Sequence, residues 1–573
     1  MNYDRHLKFK EGKINVVAGS TKYFFVRMRN LLRKLFLITF VLVLFLLFWW
    51  NPLLFKRKGE ELEANQKEIA WVYPASYSSA WQRLVSSGKL LANHPDPFFA
   101  KVKFETGSHT FPELTASVPV FKISHPDSSL TIVVKWYKIS SDMKYEDWME
   151  KLFSRNIIPS AIVAGPTTDD AMAIVQAVSK VAAKLEVGKP PPLILTTASS
   201  NTLASDFNGI LGPNPAEDVG LMGIYPEKTF RFGFDNRIMS DAIIRLLWSN
   251  PDLKPDSDPV HIVLWEDDSY ARDFVATFWA SLNKQTVVDG LAAYCWACSS
   301  VLAQQNTNFA FLLAPPLQLL GKNASSFRMN IPPIPQIIDS SIGVRYAANR
   351  FEKEALKFLL LDINLKPEQT QPLMVVGSQA LQARRFLREL SLSDPKLAQK
   401  MIVVTGDTLS LNTVYRDHEV AWPVSELPCK VVFFNHANPV SSDAGFLPIN
   451  DWADTGNLAQ ASSTEELIFL SQILEGLLPG LFLPNDLDLS SHLKKLTWDG
   501  ERVTVEKGTP LFDVVGNRNA GTGEFIGVLK PLLDPNDRTS AKLEIWSLLS
   551  RGKNQLPLPT LRSELSLSSR AKR

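Results

Sequence analysis

The sequence predicts an α/β protein, two lobes of parallel sheet preceded by one transmembrane helix. Three features carry this reading. A charge-free apolar run occupies residues 35–55. Beyond it, short unbroken apolar runs alternate with stretches of helical spacing, as buried parallel strands and their covering helices do. The alternation fills most of 120–420, too much for one small sheet, and 573 residues leave room for more than one core.

The apolar run reads "LFLITFVLVLFLLFWWNPLLF". About 20 apolar residues cross a bilayer as a helix. Trp49 and Trp50 sit near its end, where indole rings favour the membrane interface. A cleaved signal peptide would have a shorter apolar core followed by small residues. Here large residues and Lys56-Arg57-Lys58 follow, so an uncleaved anchor is expected. Nine Lys or Arg precede the run and three follow it directly. That bias places residues 1–34 in the cytoplasm and the bulk of the chain outside, in the periplasm or its equivalent. No other stretch is long and charge-free enough to span, which excludes a channel or carrier.

After a charged tether, strands are expected at "TIVVKWYKI" (131–139), "AIVAG" (161–165), "PLILTTASSNTL" (192–203), "HIVLW" (261–265), "FAFLLAPP" (309–316), "PLMVVG" (372–377) and "MIVVTG" (401–406). Helices are expected at 145–153, 171–185 and in the runs after 265 and 377. Open parallel sheets bind ligands beyond the carboxyl ends of their strands, where loops lead into helix N-termini. Thr167, Thr168, Thr197 and Ser199 stand at such ends. Each hydroxyl has two readings, a helix cap or a ligand contact. Several hydroxyl-rich loops at the same end of successive strands favour a shared cleft.

Composition narrows the function. Hydrophobic residues are 45% and charged residues 21%, as in a globular chain. A net charge of +2 gives no case for nucleic acid. Of the three cysteines, Cys295 and Cys298 form a lone CxxC, without the second pair that a zinc site would want. A structural role or a local disulfide is the plainer reading.

The order "AIVAGPTTDDAMAIVQAVSKVA", "PLILTTASSNTL", "TFRFGFDNRIMSDAIIRLL", "VHIVLWEDDSYARDFVATF" resembles type 1 periplasmic ligand-binding proteins, the solute receptors of branched-chain amino acid ABC transporters. The match is best over 130–280 and looser over 300–440. "LFDVVGNRNAGTGEFIGVLKP" (511–531) is similar to the closing β-hairpin of that family. The resemblance implies two Rossmann-like lobes joined by a hinge, with a small ligand held between them. Thr167 and Thr168 match the first ligand loop. Thr197, Ala198 and Ser199 match the second, where backbone N–H groups and hydroxyls grip a carboxylate. Tyr270 matches a second-lobe aromatic that covers the ligand. The implied ligand is an amino acid or related carboxylate, and the implied partner an ABC permease or another membrane protein.

Two departures stand out. Amino-acid binders of the family place a carboxylate in the second lobe for the ligand's ammonium, yet the loop after "LMVV" reads Gly377-Ser378-Gln379. Glu266, Asp267 or Asp268 are candidates to replace it. The fixed anchor is the second departure, and suggests a tethered receptor or sensor.

No enzyme signature appears. The eight histidines form no HExxH or paired metal spacing, and GxSxG, P-loop and kinase motifs are absent. "VAGSTKY" (17–23) lacks the Walker spacing. His436, just past a buried-looking strand, reads as a polar loop residue. Two alternatives remain: a membrane-anchored glycosyltransferase, for which Asp486-Leu-Asp488 has the metal-motif spacing, and a degenerate binding fold acting as a protein scaffold. Neither metal nor cofactor is expected. The expected organisation is a cytoplasmic N-terminus (1–34), the anchor (35–55), lobe 1 (66–235 and 440–500) and lobe 2 (236–439 and 501–535). A loop-rich insertion is expected at 317–350. A C-terminal tail (536–573) would open with a helix at 541–549 and end disordered.

Overall fold

The computed structural model describes residues 62–567, apart from 76–77, 92–93, 107–117, 141–142, 202–219, 255–259, 265–267, 286–290, 296–327, 330–370, 410–428, 440–463, 484–487, 533–539 and 550–557. It also describes Met28, Arg29, Lys34, Phe36 and Thr39, all helical. The chain divides into two units, Met1–Glu63 and Ala64–Arg573. Among the described residues no helix is long and apolar enough to cross a membrane. The expected anchor, apart from Phe36 and Thr39, lies outside those residues, as do the strand expected at 309–316, most of the insertion at 317–350, and Cys298.

The first sheet of the larger unit has seven strands. These are β1 Gln66–Pro74, β2 Lys103–Thr106, β3 Val120–Ser124, β4 Thr131–Ile139, β5 Ala161–Ala164, β6 Leu193–Leu195 and β7 Thr229–Arg231. They lie in the order β2-β3-β4-β1-β5-β6-β7. From β4 to β7 neighbours run parallel, while β2, β3 and β4 pair antiparallel. Strand β1 shows why its run is unbroken. Ile69, Trp71 and Tyr73 face one core, and Ala70 and Val72 face another. A strand buried on both faces has no polar side to display.

Helices α1 Ser78–Leu91, α2 Pro97–Ala100, α3 Tyr145–Phe153, α4 Thr168–Lys184 and α5 Gly220–Gly223 belong with this sheet. Helices α3 and α4 close one face. The other is closed by α1 and by a helix returning from late in the chain. Between strand and helix, Gly165 turns at φ +77, and a Cβ there would meet the Ala171 Cβ at 2.9 Å. Glycine alone fits so tight a β5–α4 corner.

The chain then crosses at 232–235 into α6 Asn236–Ser249 and α7 Ser269–Gln285, which pack on a nine-stranded sheet. Its strands are β8 Val260–Leu264, β9 Leu291–Cys295, β10 Arg328–Met329, β11 Leu373–Gly377, β12 Ile402–Val404 and β13 Lys430–Asn435. With them lie β17 Phe525–Pro531, β18 Ala541–Leu549 and β19 Leu558–Leu567, and the helices α8 Ala380–Ser393 and α9 Pro395–Lys400. The strand order is β10-β9-β8-β11-β12-β13-β17-β18-β19. Strands β10 to β13 are parallel, and β13 onward antiparallel.

Between β13 and β17 the chain revisits the first sheet. Helix α10 Thr464–Phe482 lies against α1, and α11 Leu489–Leu493 follows. A small sheet of β14 Leu496–Trp498, β15 Val503–Val505 and β16 Thr509–Pro510 joins the same core. Lys67 Nζ donates to the Leu481 and Leu483 carbonyls at 2.8 and 2.9 Å, a cation where the end of α10 leaves carbonyls unpaired.

Three expectations need correction. Residues 541–549 are a strand, not a helix, and 558–567 are another. Lys542 pairs with Glu564 of the next strand at 2.9 Å, and a cross-strand pair of this kind appears only once the hairpin forms. The return to lobe 1 also runs past 500, since Val503, Leu511 and Phe512 lie in its core. Of the supposed closing hairpin 511–531, only β17 belongs to the second sheet.

Buried acids at the α6–α7 contact tie stability to pH. Asp273, 1% exposed, accepts from Asn236 Nδ2 at 2.7 Å, and burial, followed by Asp235, lifts its pKa from 3.8 to about 7. The fold therefore holds a proton there that the unfolded chain releases above about pH 4, and stability falls as pH rises from about 4 to about 7. Asp273→Asn should reduce that slope, read as melting temperature against pH.

Candidate functional site

The carboxyl ends of both sheets converge on one cavity of about 360 Å³. From the first sheet come Tyr73 at the end of β1, Pro166 to Asp169 after β5, and Thr197 and Ser199 after β6. From the second come Asp268, Ser269 and Tyr270 at the start of α7, Gln379 and Ala380 after β11, Asp407 and Thr408 after β12, and His436 after β13. Helix α1 contributes Arg83, and α10 contributes Glu465, Glu466, Phe469 and Leu470. Hydrogen bonds join the two walls: Ser269 Oγ donates to Asp169 Oδ1 at 2.8 Å, and His436 N–H to Glu465 Oε1 at 2.8 Å.

Five of the six residues named from sequence line this cavity: Thr167, Thr168, Thr197, Ser199 and Tyr270. Ala198 does not. It is 1% exposed in the core, and its N–H donates to the Gly165 carbonyl at 3.1 Å, leaving no amide for a ligand. The hydroxyls divide between the two readings. Thr167 is the N-cap of α4: its Oγ1 accepts from Asp170 N–H at 3.3 Å and donates to Asp170 Oδ2 at 2.7 Å. Thr197 Oγ1 donates to the Pro166 carbonyl at 2.9 Å, holding the β5 and β6 loops together. Thr168 Oγ1 accepts from Ser200 N–H at 3.4 Å. Ser199 is 2% exposed and its Oγ makes no hydrogen bond among the described residues.

Tyr270 does more than cover the cavity. Its ring stacks on Phe274, centroids 5.7 Å apart. Its hydroxyl donates to the Thr405 carbonyl at 3.0 Å and accepts from Asp407 N–H at 3.2 Å, pinning the β12 loop. Burial, followed by Asp407, pushes its pKa well above the usual phenol value, so it stays a donor. Gly406 turns at φ +62, and a Cβ there would lie 2.1 Å from the Tyr270 hydroxyl. Tyr270→Ala is thus expected to cost about 3 kcal/mol of stability as well as any binding. Tyr270→Phe isolates the hydroxyl and should cost about 1–2 kcal/mol, read by urea denaturation.

Sequence reasoning missed the charged lining. Asp268 was a candidate replacement carboxylate, while Asp169 was not singled out. Glu266 and Asp267 lie outside the described residues. Gln379, in the acid-free loop, donates to Asp268 Oδ2 at 2.6 Å. Burial raises the Asp268 pKa, with Asp169 adding to it. His436, read as a polar loop residue, is a wall of the cavity. Its Nδ1 accepts from Phe234 N–H at 3.1 Å, which leaves the proton on Nε2 to donate to Asp407 Oδ2 at 3.0 Å. Arg83 pairs with Glu466 at 2.5 Å. Glu465 Oε1 accepts from His436 N–H at 2.8 Å, and burial, followed by Asp407 and Glu466, lifts its pKa to about 8. The position of His436 past a buried strand was a usable signal. Arg83, Glu465 and Glu466 lie on helices, and nothing local marks them.

Of the glycosyltransferase motif, the structure describes Asp488. That residue caps α11, accepting from Ser490 N–H at 3.3 Å, and pairs with Lys228 at 3.1 Å. Asp486 lies outside the described residues. Among the described residues no group of three or more His, Cys, Asp and Glu is placed to share a metal ion.

No family model matches the chain, and no curated protein matches it. Solved structures that resemble it are branched-chain amino acid ABC transporter substrate-binding proteins and their kin, the group the sequence motifs suggested. One is the isoleucine complex of such a protein from Streptococcus pneumoniae, 11% identical, TM-score 0.44, covering 87% of this chain and 100% of that one. Another is a leucine complex from Desulfitobacterium hafniense, 10% identical, TM-score 0.44, covering 81% and 98%. A closed leucine-, isoleucine-, valine-, threonine- and alanine-binding protein from Brucella ovis is 11% identical, TM-score 0.40, covering 88% and 96%.

Proposed function

We propose that the chain is a membrane-anchored, extracytoplasmic solute-binding protein that captures a small polar molecule between two lobes, for transport or sensing. One observation carries this: a cavity of ligand size whose walls come from the strand ends of both sheets. The run at 35–55 supplies the anchor and the basic residues before it the orientation. A membrane partner such as an ABC permease follows from the family resemblance.

The action is capture without bond chemistry. The solute enters when the walls part, at the cost of the Ser269–Asp169 and His436–Glu465 bonds, and closure is favoured in proportion to its extra contacts with the closed form. Residues 232–235, 436–439 and 511–524 lie on the connections between the two sheets and serve as the hinge. Resemblance alone suggests a carboxylate-bearing solute such as an amino acid. The Thr167 and Thr197 hydroxyls that would grip the carboxylate are already bonded within lobe 1.

The test is a thermal-shift screen of the full chain in detergent against amines, amino acids, carboxylates, amides and sugars. A ligand of the native state alone raises the melting temperature. At least one class should do so, and Ser269→Ala should reduce the shift. No response to any class would refute solute capture.

A further inference from the structure

The cavity holds an excess of acids that its own cations do not answer. Arg83 is engaged by Glu466, and the His436 Nε2–H donates to Asp407. Asp169, Asp268 and Glu465 have no cationic partner among the described residues. They come from three different elements: the start of α4, the start of α7 and the start of α10. A polar group that points to a ligand lies beside them. Ser199 Oγ, on a side chain 2% exposed, faces the cavity without a hydrogen bond among the described residues. A hydroxyl in that state is free to hydrogen-bond a ligand.

Resting on the solute-capture reading, the geometry points to a small organic ammonium ion without a carboxylate as the ligand, held by Asp169, Asp268 and Glu465 with Ser199 as a further hydrogen-bond partner. An anion fares badly at each place where one would be expected. The start of α4 would favour a negative group, but Asp169 already occupies it. The hydroxyls of Thr167 and Thr197 are spent within the protein, and the Ala198 amide is buried. A metal ion fares no better, since no triad of suitable donors gathers among the described residues. An ammonium suits acids spread over several walls, because its N–H groups donate in several directions to carboxylates at charge-assisted strength.

Matched pairs test this on the full chain in detergent, by calorimetric titration and thermal shift. Isopentylamine is set against leucine, and cadaverine against lysine, each pair differing only in the carboxylate. Isocaproate, acetamide, glucose and calcium complete the panel. The amines are expected to raise the melting temperature and to bind at least about tenfold more tightly than their amino acids. Asp268→Asn and Ser199→Ala, each checked for an unchanged melting curve without ligand, should weaken the better amine, Asp268→Asn by about tenfold or more. Tighter binding of leucine or lysine than of its amine overturns the ammonium assignment and leaves solute capture standing. So does a response to isocaproate, acetamide, glucose or calcium with the amines inert. Inertness across the whole panel overturns both.

Discussion

Arg518→Met is expected to lower the unfolding free energy of the larger unit by about 4 kcal/mol, the largest effect of any single replacement considered. Arg518 is 1% exposed and reaches all three connections between the sheets. Its Nη1 donates to the Phe232 carbonyl at 2.9 Å, on the first crossing, and to the His436 carbonyl at 3.4 Å, on the second. Its Nη2 donates to the Thr522 carbonyl at 2.5 Å, on the third. The guanidinium lies over the Phe234 ring at 4.3 Å, and the Trp498 ring stands 5.5 Å away. Methionine fills similar volume and keeps the aromatic contact, but leaves these carbonyls buried and unpaired. Burial lowers the Arg518 pKa to about 9, opposed by Glu524. A lysine in its place would carry charge without the planar fork, so Arg518→Lys should recover less than half of the loss. Urea denaturation of the three proteins measures this. Equal midpoints would show that the crossings are held together elsewhere.

Glu465→Gln is expected to make the protein more stable at alkaline pH and a poorer binder of amines. The folded-state pKa of Glu465 is about 8, against an ordinary 4.5. Between those values the folded chain binds a proton that the unfolded chain has lost. Stability therefore falls as pH rises from about 4.5 to about 8, by at most about 1.4 kcal/mol per pH unit. Glutamine has no proton to lose, so the variant should match the parent below about pH 4.5 and exceed it above about 8. The groups facing Glu465 are Asp407 and Glu466, which raise its pKa, and the His436 amide, which lowers it. The His436 ring is held by Asp407, and Arg83 by Glu466. An ammonium ion in the cavity favours the ionised form. Amine affinity of the parent should thus rise from about pH 6 to about pH 9, with protons released on binding, while the ammonium itself, titrating at about 10, stays charged. A variant that binds amines as tightly as the parent at about pH 8.5, where the parent carboxyl is mostly ionised, would remove Glu465 from the site.

How much of this was written in the sequence can be judged from particular elements. The runs 161–164 and 402–404 are strands because a short unbroken apolar run suits burial on both faces of a parallel sheet. The cap at Thr167 and the strand-end position of Ser199 also follow from local order. The anchor at 35–55 is a reading of hydropathy alone. Tertiary structure decided what local order could not. Residues 541–549 could serve as helix or strand, and pairing with β17 and β19 chose strand. The grip of Thr197 on Pro166, and of Tyr270 on the β12 loop, turned expected ligand contacts into internal bonds. The charge of the site was settled last. Asp169, Asp268 and Glu465 stand far apart in the chain, and each alone is an ordinary helix-start acid. Only the crossings that bring α4, α7 and α10 to one cavity place them together, because electrostatic environment depends on distance in space and sequence order carries none of it.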